Sequence, residues 1–364
     1  MKSSILSPLH AERGAHLAAD GTVLFFRDVP DEYRSALEGA ALVDLTDRGA
    51  VEVRGPEAAV FLHRLLANDA RNLAAGQGNS NLLLDAKGKV RFQFELVRLA
   101  DDVLELSTEP GEAQPVVKAL DMYHFAEKLT FADVTERHAP LALAGPRAFE
   151  FAGRALGAAV ELAPGERTVR AWRDGEVAIT RLPYAGSDGL RLDAGPRAAQ
   201  ALWLALAEAG AQPIGRVVDD ILRVEACAAR AHVDVDETIY PQEARLERAF
   251  SLDKGCYIGQ EVVAKIDTYG GLNKRMVALR VSNDDPVPRG TRLFRLDDGE
   301  WRDLGVVTSW AYSFVLDTGL VLAYVKRRHQ KVGTEFRLGE GPHTATVVAS
   351  PVRAHALAPT GENE

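Results

Sequence analysis

The chain has 364 residues, enough for two or three domains with well-buried cores. It is 46% hydrophobic and 26% charged with a formal net charge of -9, which excludes a protein that coats nucleic acid through a broadly basic face. No basic start joined to a long apolar run opens the sequence, and no apolar segment approaches the ~20 residues that cross a bilayer, so a cytoplasmic protein with no membrane partner is expected.

In chain order, "ALVDLTDRGAVEVRG" alternates apolar and polar residues on either side of Arg48-Gly49 and predicts two strands about a turn. In "PEAAVFLHRLLAND", Pro56 suits a first turn, and Ala59, Phe61, Leu62, Leu65 and Leu66 recur at helical spacing. "SNLLLDAKGKVRFQFELVRL" predicts a hairpin turning at Asp85 to Gly88, "DVLELSTE" a strand, and "QPVVKALDMYHFAEKL" a helix. Residues 51–136 thus run strand, helix, hairpin, strand, helix, which suits an α+β unit rather than a parallel sheet.

A strand begins at 141–144, and Gly145-Pro146 opens a helix. "EVAITRLPYAGSDGLRLDAG" predicts two strands interrupted by the glycine-rich "YAGSDG". "PRAAQALWLALAEAG" predicts a helix stopped by Gly210, and "GRVVDDILRVEACAARAHV" a further helix. From Arg275 onward, short apolar runs divided by Gly, Asp and Pro predict a compact antiparallel barrel or sandwich. The basic run Lys326 to Lys331 reads as a solvated turn, with an anion patch as its alternative. The closing "APTGENE" reads as a frayed tail.

Two cysteines, Cys227 and Cys256, give no disulfide framework and cannot hold a four-thiolate cluster in one chain. No CxxC or HExxH occurs, so no metal site is expected. Asn81 stands where a dinucleotide fingerprint needs its third glycine, and "GNSNL" lacks the closing glycine of a nucleophile elbow. Cys227 sits in an alanine-rich stretch with no cation beside it and reads as core. Cys256, in "SLDKGCYIGQEVVAK", has three features that favour a thiolate. Lys254 is two residues away, a helix begins near Gly259 or Gln260, and Gly255 and Gly259 expose backbone. A reactive thiol and a small buried hydrophobe both fit this pattern.

"KGCYIGQEVVAK" followed by "GGLNKRMVALRV" resembles the signature of the YgfZ-type folate-binding proteins, relatives of the aminomethyltransferase (T-protein) of the glycine cleavage system. "VEVRGPEAAVFLHRLLANDARNLAAGQ", "YAGSDGLRL", "ILRVEA" and "DLGVVTSWAYSFVLDTGLVLAYV" resemble other elements of that superfamily, and the similarity runs from about residue 35 to 350. The resemblance implies an α+β protein of three domains in a ring around a folate site. The implied parts are a discontinuous folate-binding domain (1–50 with 137–270), a ferredoxin-like domain (51–136) and a C-terminal antiparallel β-barrel (271–364). It further implies tetrahydrofolate as cofactor and, as partners, iron–sulfur enzymes or their assembly proteins, including enzymes that modify tRNA, with no direct nucleic-acid contact. Cys256 and Lys254 would carry the chemistry. Glu225 matches a superfamily glutamate that pairs with the pterin edge, with a helix-surface ion pair to Arg223 or Arg230 as its alternative. Tyr184 would pack on the pterin, and Arg275 would meet the acidic tail.

One departure stands out. The transferases of the superfamily carry an aspartate pair after the hairpin glycines, where this chain has Phe92 and Gln93, and neither can ionise. Glu95, three residues beyond Phe92, is expected on the opposite face of its strand. An accessory protein for iron–sulfur enzymes is therefore the first reading. A folate-dependent aminomethyltransferase or demethylase is the alternative, and a folate-binding scaffold the third.

Overall fold

The structure, a computed structural model, describes residues 4–297 and 299–356. The closing "APTGENE" lies outside the described residues. The chain divides into two compact units, Met1–Val218 with Arg248–Gln260, and Asp219–Glu247 with Glu261–Glu364.

The first unit holds two larger sheets, each with its own apolar core. One is fully antiparallel, and its strands lie in the order Gln77–Leu84, Val90–Ala100, Val103–Thr108, Gly49–Arg54, Thr130–Asp133. Helices Ala58–Leu65 and Ala113–Asp121 supply Phe61, Leu62, Leu65, Val116 and Leu120 to a core shared with Val51, Val53, Phe94, Leu96, Leu104 and Leu106. Every second strand residue faces the helices, as a pleated strand demands. The strand, helix, hairpin, strand, helix order read from residues 51–136 is found, with a fifth strand after it. The second helix stops at Asp121, short of the expected span.

The other sheet runs Arg167–Trp172, Gly175–Arg181, Gly189–Asp193, Leu141–Ala144, Ala41–Asp44, Gln212–Pro213, with only the last pair parallel. Helices Ala148–Leu156 and Ala199–Glu208 cover the face bearing Val177, Ile179, Leu190 and Leu192. Two expectations change here. Strands 41–44 and 49–54 flank the Arg48 turn but belong to different sheets, because the first pairs with 141–144 and the second with 103–108. Strand 167–172 is additional to those read from the sequence.

In the second unit, six antiparallel strands close into a barrel in the order Lys274–Val281, Thr318–Lys326, Glu300–Ser313, Arg292–Asp297, Glu335–Leu338, Thr344–Val347. Closure leaves no unpaired edge. Its interior takes alternate residues such as Val277, Leu279, Val321, Ala323, Phe336 and Ala345. A bulge between Val307 and Ser309 breaks the alternation. Consecutive hydroxyls, Thr308 and Ser309, therefore both reach Asp234 Oδ1, at 2.5 and 2.7 Å. Arg223 Nη1 donates to the other oxygen at 2.8 Å, and all these groups are buried.

The helix read through 215–233 ends at Glu225. Cys227 takes a left-handed φ of 55° there, and Ala228 N–H closes on Arg223 O at 2.8 Å. That bond caps a carbonyl the helix would otherwise leave open. The basic run 326–331 contains a short 3-10 turn, Arg327–His329, and Lys326, Arg327 and Arg328 are exposed.

Candidate functional site

The long strand Val90–Ala100 positions the first cluster. Phe92, Phe94 and Leu96 face the helices, so Gln93 and Glu95 project from the opposite side. Glu95 lies across from Ser80, whose hydroxyl donates to it at 2.9 Å. Burial pushes the Glu95 carboxyl above its ordinary range, opposed by the Ser80 bond and by Arg191 and Arg48. A carboxyl in such a place keeps its proton to higher pH than a solvated glutamate. Gln93 Oε1 is enclosed and without a hydrogen-bond partner among the described residues.

Arg48, in the turn between the two sheets, binds Glu109 at 2.8 Å and lies within electrostatic range of Tyr184. Tyr184 itself anchors the "YAGSDG" turn, exchanging backbone hydrogen bonds with Ser187 at 2.9 Å. The turn needs Ala185 and Gly186 at positive φ, 46° and 78°. Arg48 acts electrostatically on Tyr184 and Glu95, and Arg191 on Glu95, so these groups and Glu109 share one field in the first unit, a polar cluster. The sequence offers no local signal for it, since its members come from four separate segments.

Cys256 is exposed, and Cys227 is buried, where burial pushes its thiol up. The helix begins at Gln260, as expected. Lys254 turns its ammonium onto the His63 carbonyl in the last turn of Ala58–Leu65, and His63 Nε2 meets Lys254 O at 3.0 Å. The ammonium also lies 5.0 Å from the centre of the Tyr257 ring. Burial pulls Lys254 down to about 8, while Asp69 and Cys256 act the other way. Lys254 and Cys256 therefore share a field, but the lysine's hydrogen bond goes to a helix end. Tyr257 OH is buried and has no partner among the described residues. Gly259, at φ 79°, packs against the hairpin turn. A Cβ there would meet Asp85 O at 2.5 Å, so the loop fits only a glycine.

Glu225 and Arg275 belong to the second unit. The Glu225 side chain is fully enclosed. Its Oε1 accepts from Ser313 at 2.7 Å, and its Oε2 lies 3.7 Å from Arg353. Arg223 and Arg230, the ion-pair partners considered from the sequence, meet Asp220, Asp234 and Asp219. Arg275 binds Glu247 at 2.6 Å, with its Nε enclosed and unpartnered among the described residues.

Residues 14–254 match the GCVT N-terminal domain, and residues 274–352 match the glycine cleavage T-protein C-terminal barrel domain. The chain belongs to the glycine cleavage T-protein family. Among its T-protein relatives, an aminomethyltransferase of Symbiobacterium thermophilum is 30% identical, covering 93% of each chain. One of Chlorobaculum parvum is 28% identical over 92% of this chain and 93% of its own. A putative chloroplastic transferase of Arabidopsis thaliana is 26% identical, over 90% of this chain and 74% of its own. The solved glycine cleavage system aminomethyltransferase T of Bartonella henselae superposes with a TM-score of 0.84 at 26% identity, covering 96% and 97% of the two chains. Among the described residues, no helix is long and apolar enough to cross a membrane, and no group of three or more His, Cys, Asp or Glu side chains could hold a metal ion.

Proposed function

We propose that the protein is a tetrahydrofolate-dependent one-carbon transferase of the aminomethyltransferase type, with Glu95 as its acid. The observation that carries this reading is the raised Glu95 carboxyl on the Gln93 face, inside the cluster that contains Tyr184. Loss of the aspartate pair at Phe92 and Gln93 removed an acid from those two positions, but Glu95 stands two residues beyond Gln93 on the same side. Expelling an amine from a one-carbon carrier requires a proton at the departing nitrogen, and a carboxyl that holds its proton to higher pH than a solvated glutamate can donate it.

The available groups fit a pterin. Gln93 Oε1 is an enclosed acceptor with nothing to accept from in the described residues, and Tyr184 offers an aromatic face. Tetrahydrofolate supplies the nitrogens that carry the one-carbon unit. Arg48 and Arg191 hold negative charge near Glu95 in check, and Ser80 fixes which way its carboxyl points.

The test is formation of methylenetetrahydrofolate from amine donors by wild type and Glu95→Gln. Turnover in wild type and a fall of ~100-fold or more in Glu95→Gln support the reading, in line with the usual worth of a general acid. No turnover by wild type, with tetrahydrofolate binding intact, refutes it.

A second reading, support of iron–sulfur enzymes through Cys256 in the YgfZ manner, is favoured by one observation. This thiol is exposed and shares its field with Lys254. Cells carrying Cys256→Ala would then lose iron–sulfur enzyme activity while the protein folds normally. Full activity in those cells removes the reading.

A further inference from the structure

In the first unit's mixed sheet, Arg167 lies directly opposite Thr180, and Thr180 directly opposite Arg191. Residues in register project to the same side, so guanidinium, hydroxyl and guanidinium form one row across three strands. The next row on that side is Val169, Ala178 and Asp193. The opposite side carries the apolar core, with Val177, Ile179, Leu190 and Leu192. Over the polar side lies a cavity of about 290 Å³, which Arg137, His138 and Glu105 also line.

Most of the charge around this cavity is internally matched. His138 bridges Asp193 at 2.7 Å and Glu105 at 3.2 Å. Arg191 lies 3.8 Å from Glu105. Among the lining charges that are not exposed, Arg167 is the exception. It is partly buried, yet its side chain makes no hydrogen bond and no ion pair with any described residue. Burial pulls its pKa below the ordinary arginine value, Arg191 adds to that, and Glu105 and Asp193 offset only part of it. An arginine has five donors in a fixed fork, and withdrawing them from water unused is costly. The one lone carboxylate on the cavity wall, Glu176, is exposed and belongs to another row.

We propose that this cavity binds the oxyanion of a small acid, a phosphate or carboxylate group taken by the fork of Arg167 and shared with Thr180 and Arg191. Arginine is the side chain suited to such planar, paired recognition. Pockets for drug-sized ligands span roughly 300–1,000 Å³, so a cavity this size suits a compact acid and not a large conjugate. The proposal does not rest on the transferase reading, and binding is measured without turnover.

The experiment is calorimetric titration of the full chain with inorganic phosphate and, separately, with succinate, at constant ionic strength. Saturable binding of either is expected, and the preferred one identifies the class of acid. Arg167→Gln is expected to weaken it at least tenfold, while Arg34→Gln, which removes an exposed arginine on the helix Val29–Glu38, leaves it within twofold. Thr180→Val and Arg191→Gln probe the same row should Arg167→Gln fail to fold, and each is expected to weaken binding at least threefold. Absence of saturable binding of both acids overturns the proposal. So does binding that all three row variants leave within twofold.

Discussion

His138 is the group from which a pH dependence can be worked through. Burial pulls its pKa down, but hydrogen bonds to Asp193 and Glu105 outweigh that and push it from 6.5 up to about 9. In the folded protein it therefore holds a proton across a range where the unfolded chain has released it. Stability from this group is complete below about pH 6.5 and is lost as pH rises toward 9. At about 1.4 kcal/mol per pKa unit, the shift corresponds to about 3 kcal/mol, with the side chain only 22% exposed. Asp193 and Glu105 are lowered by the same contacts, so their shifts describe that energy again and add nothing to it. Lys254 works in the opposite direction, since its pKa is lowered to about 8 and the folded state gains from its neutral form as pH climbs above that. The clean measurement is consequently a difference. Urea unfolding of wild type and His138→Gln between pH 6 and pH 9.5 should show the wild-type advantage shrinking by about 3 kcal/mol, most steeply between pH 7 and 9. A constant difference over that window would refute the bridging role of the imidazolium.

Three other outcomes follow from the geometry. Asp234→Ala removes the acceptor for Arg223, Thr308 and Ser309 and leaves the buried Arg223 guanidinium with Asp220 as its remaining carboxylate, which should cost about 3 kcal/mol and lower the melting temperature. Gly259→Ala forces a left-handed residue against Asp85 O and should cost at least about 1 kcal/mol, read as earlier unfolding or as faster proteolysis of the 251–260 loop. In native conditions a thiol reagent should modify one cysteine in wild type and none in Cys256→Ala, with Cys227 reacting only after denaturation. Rapid labelling of Cys227 in the native protein would contradict its burial.

Elements governed by short-range periodicity were legible in the sequence. The 58–65 helix, the hairpin at Asp85 to Gly88 and the barrel strands each carry their pattern within a dozen residues. The expectation that Phe92 and Glu95 lie on opposite faces also follows from a two-residue period, and the register shows it. Partnership across the chain was not legible. Nothing local announces that strands 41–44 and 49–54 part company at Arg48, or that Glu225 is met by Arg353 and Ser313. The helix after Arg216 looked longer than it is because alanines continue past Glu225, and only the left-handed turn at Cys227 stops it. Glu95 was visible but set aside, because its value depends on burial and on Ser80, which no spacing reveals.

Arg353 carries a consequence for how the molecule is completed. Its guanidinium reaches both Glu225 and the Leu222 carbonyl, and 131 positions separate the latter pair along the chain. During synthesis the helix that ends at Glu225 leaves the ribosome long before its counter-ion exists. Until then Glu225 lacks this guanidinium, and a product cut short before residue 353 would keep Ser313 beside the carboxylate but not Arg353. The last described helix thus works as a late latch, adding a counter-ion that only chains extending past residue 353 possess.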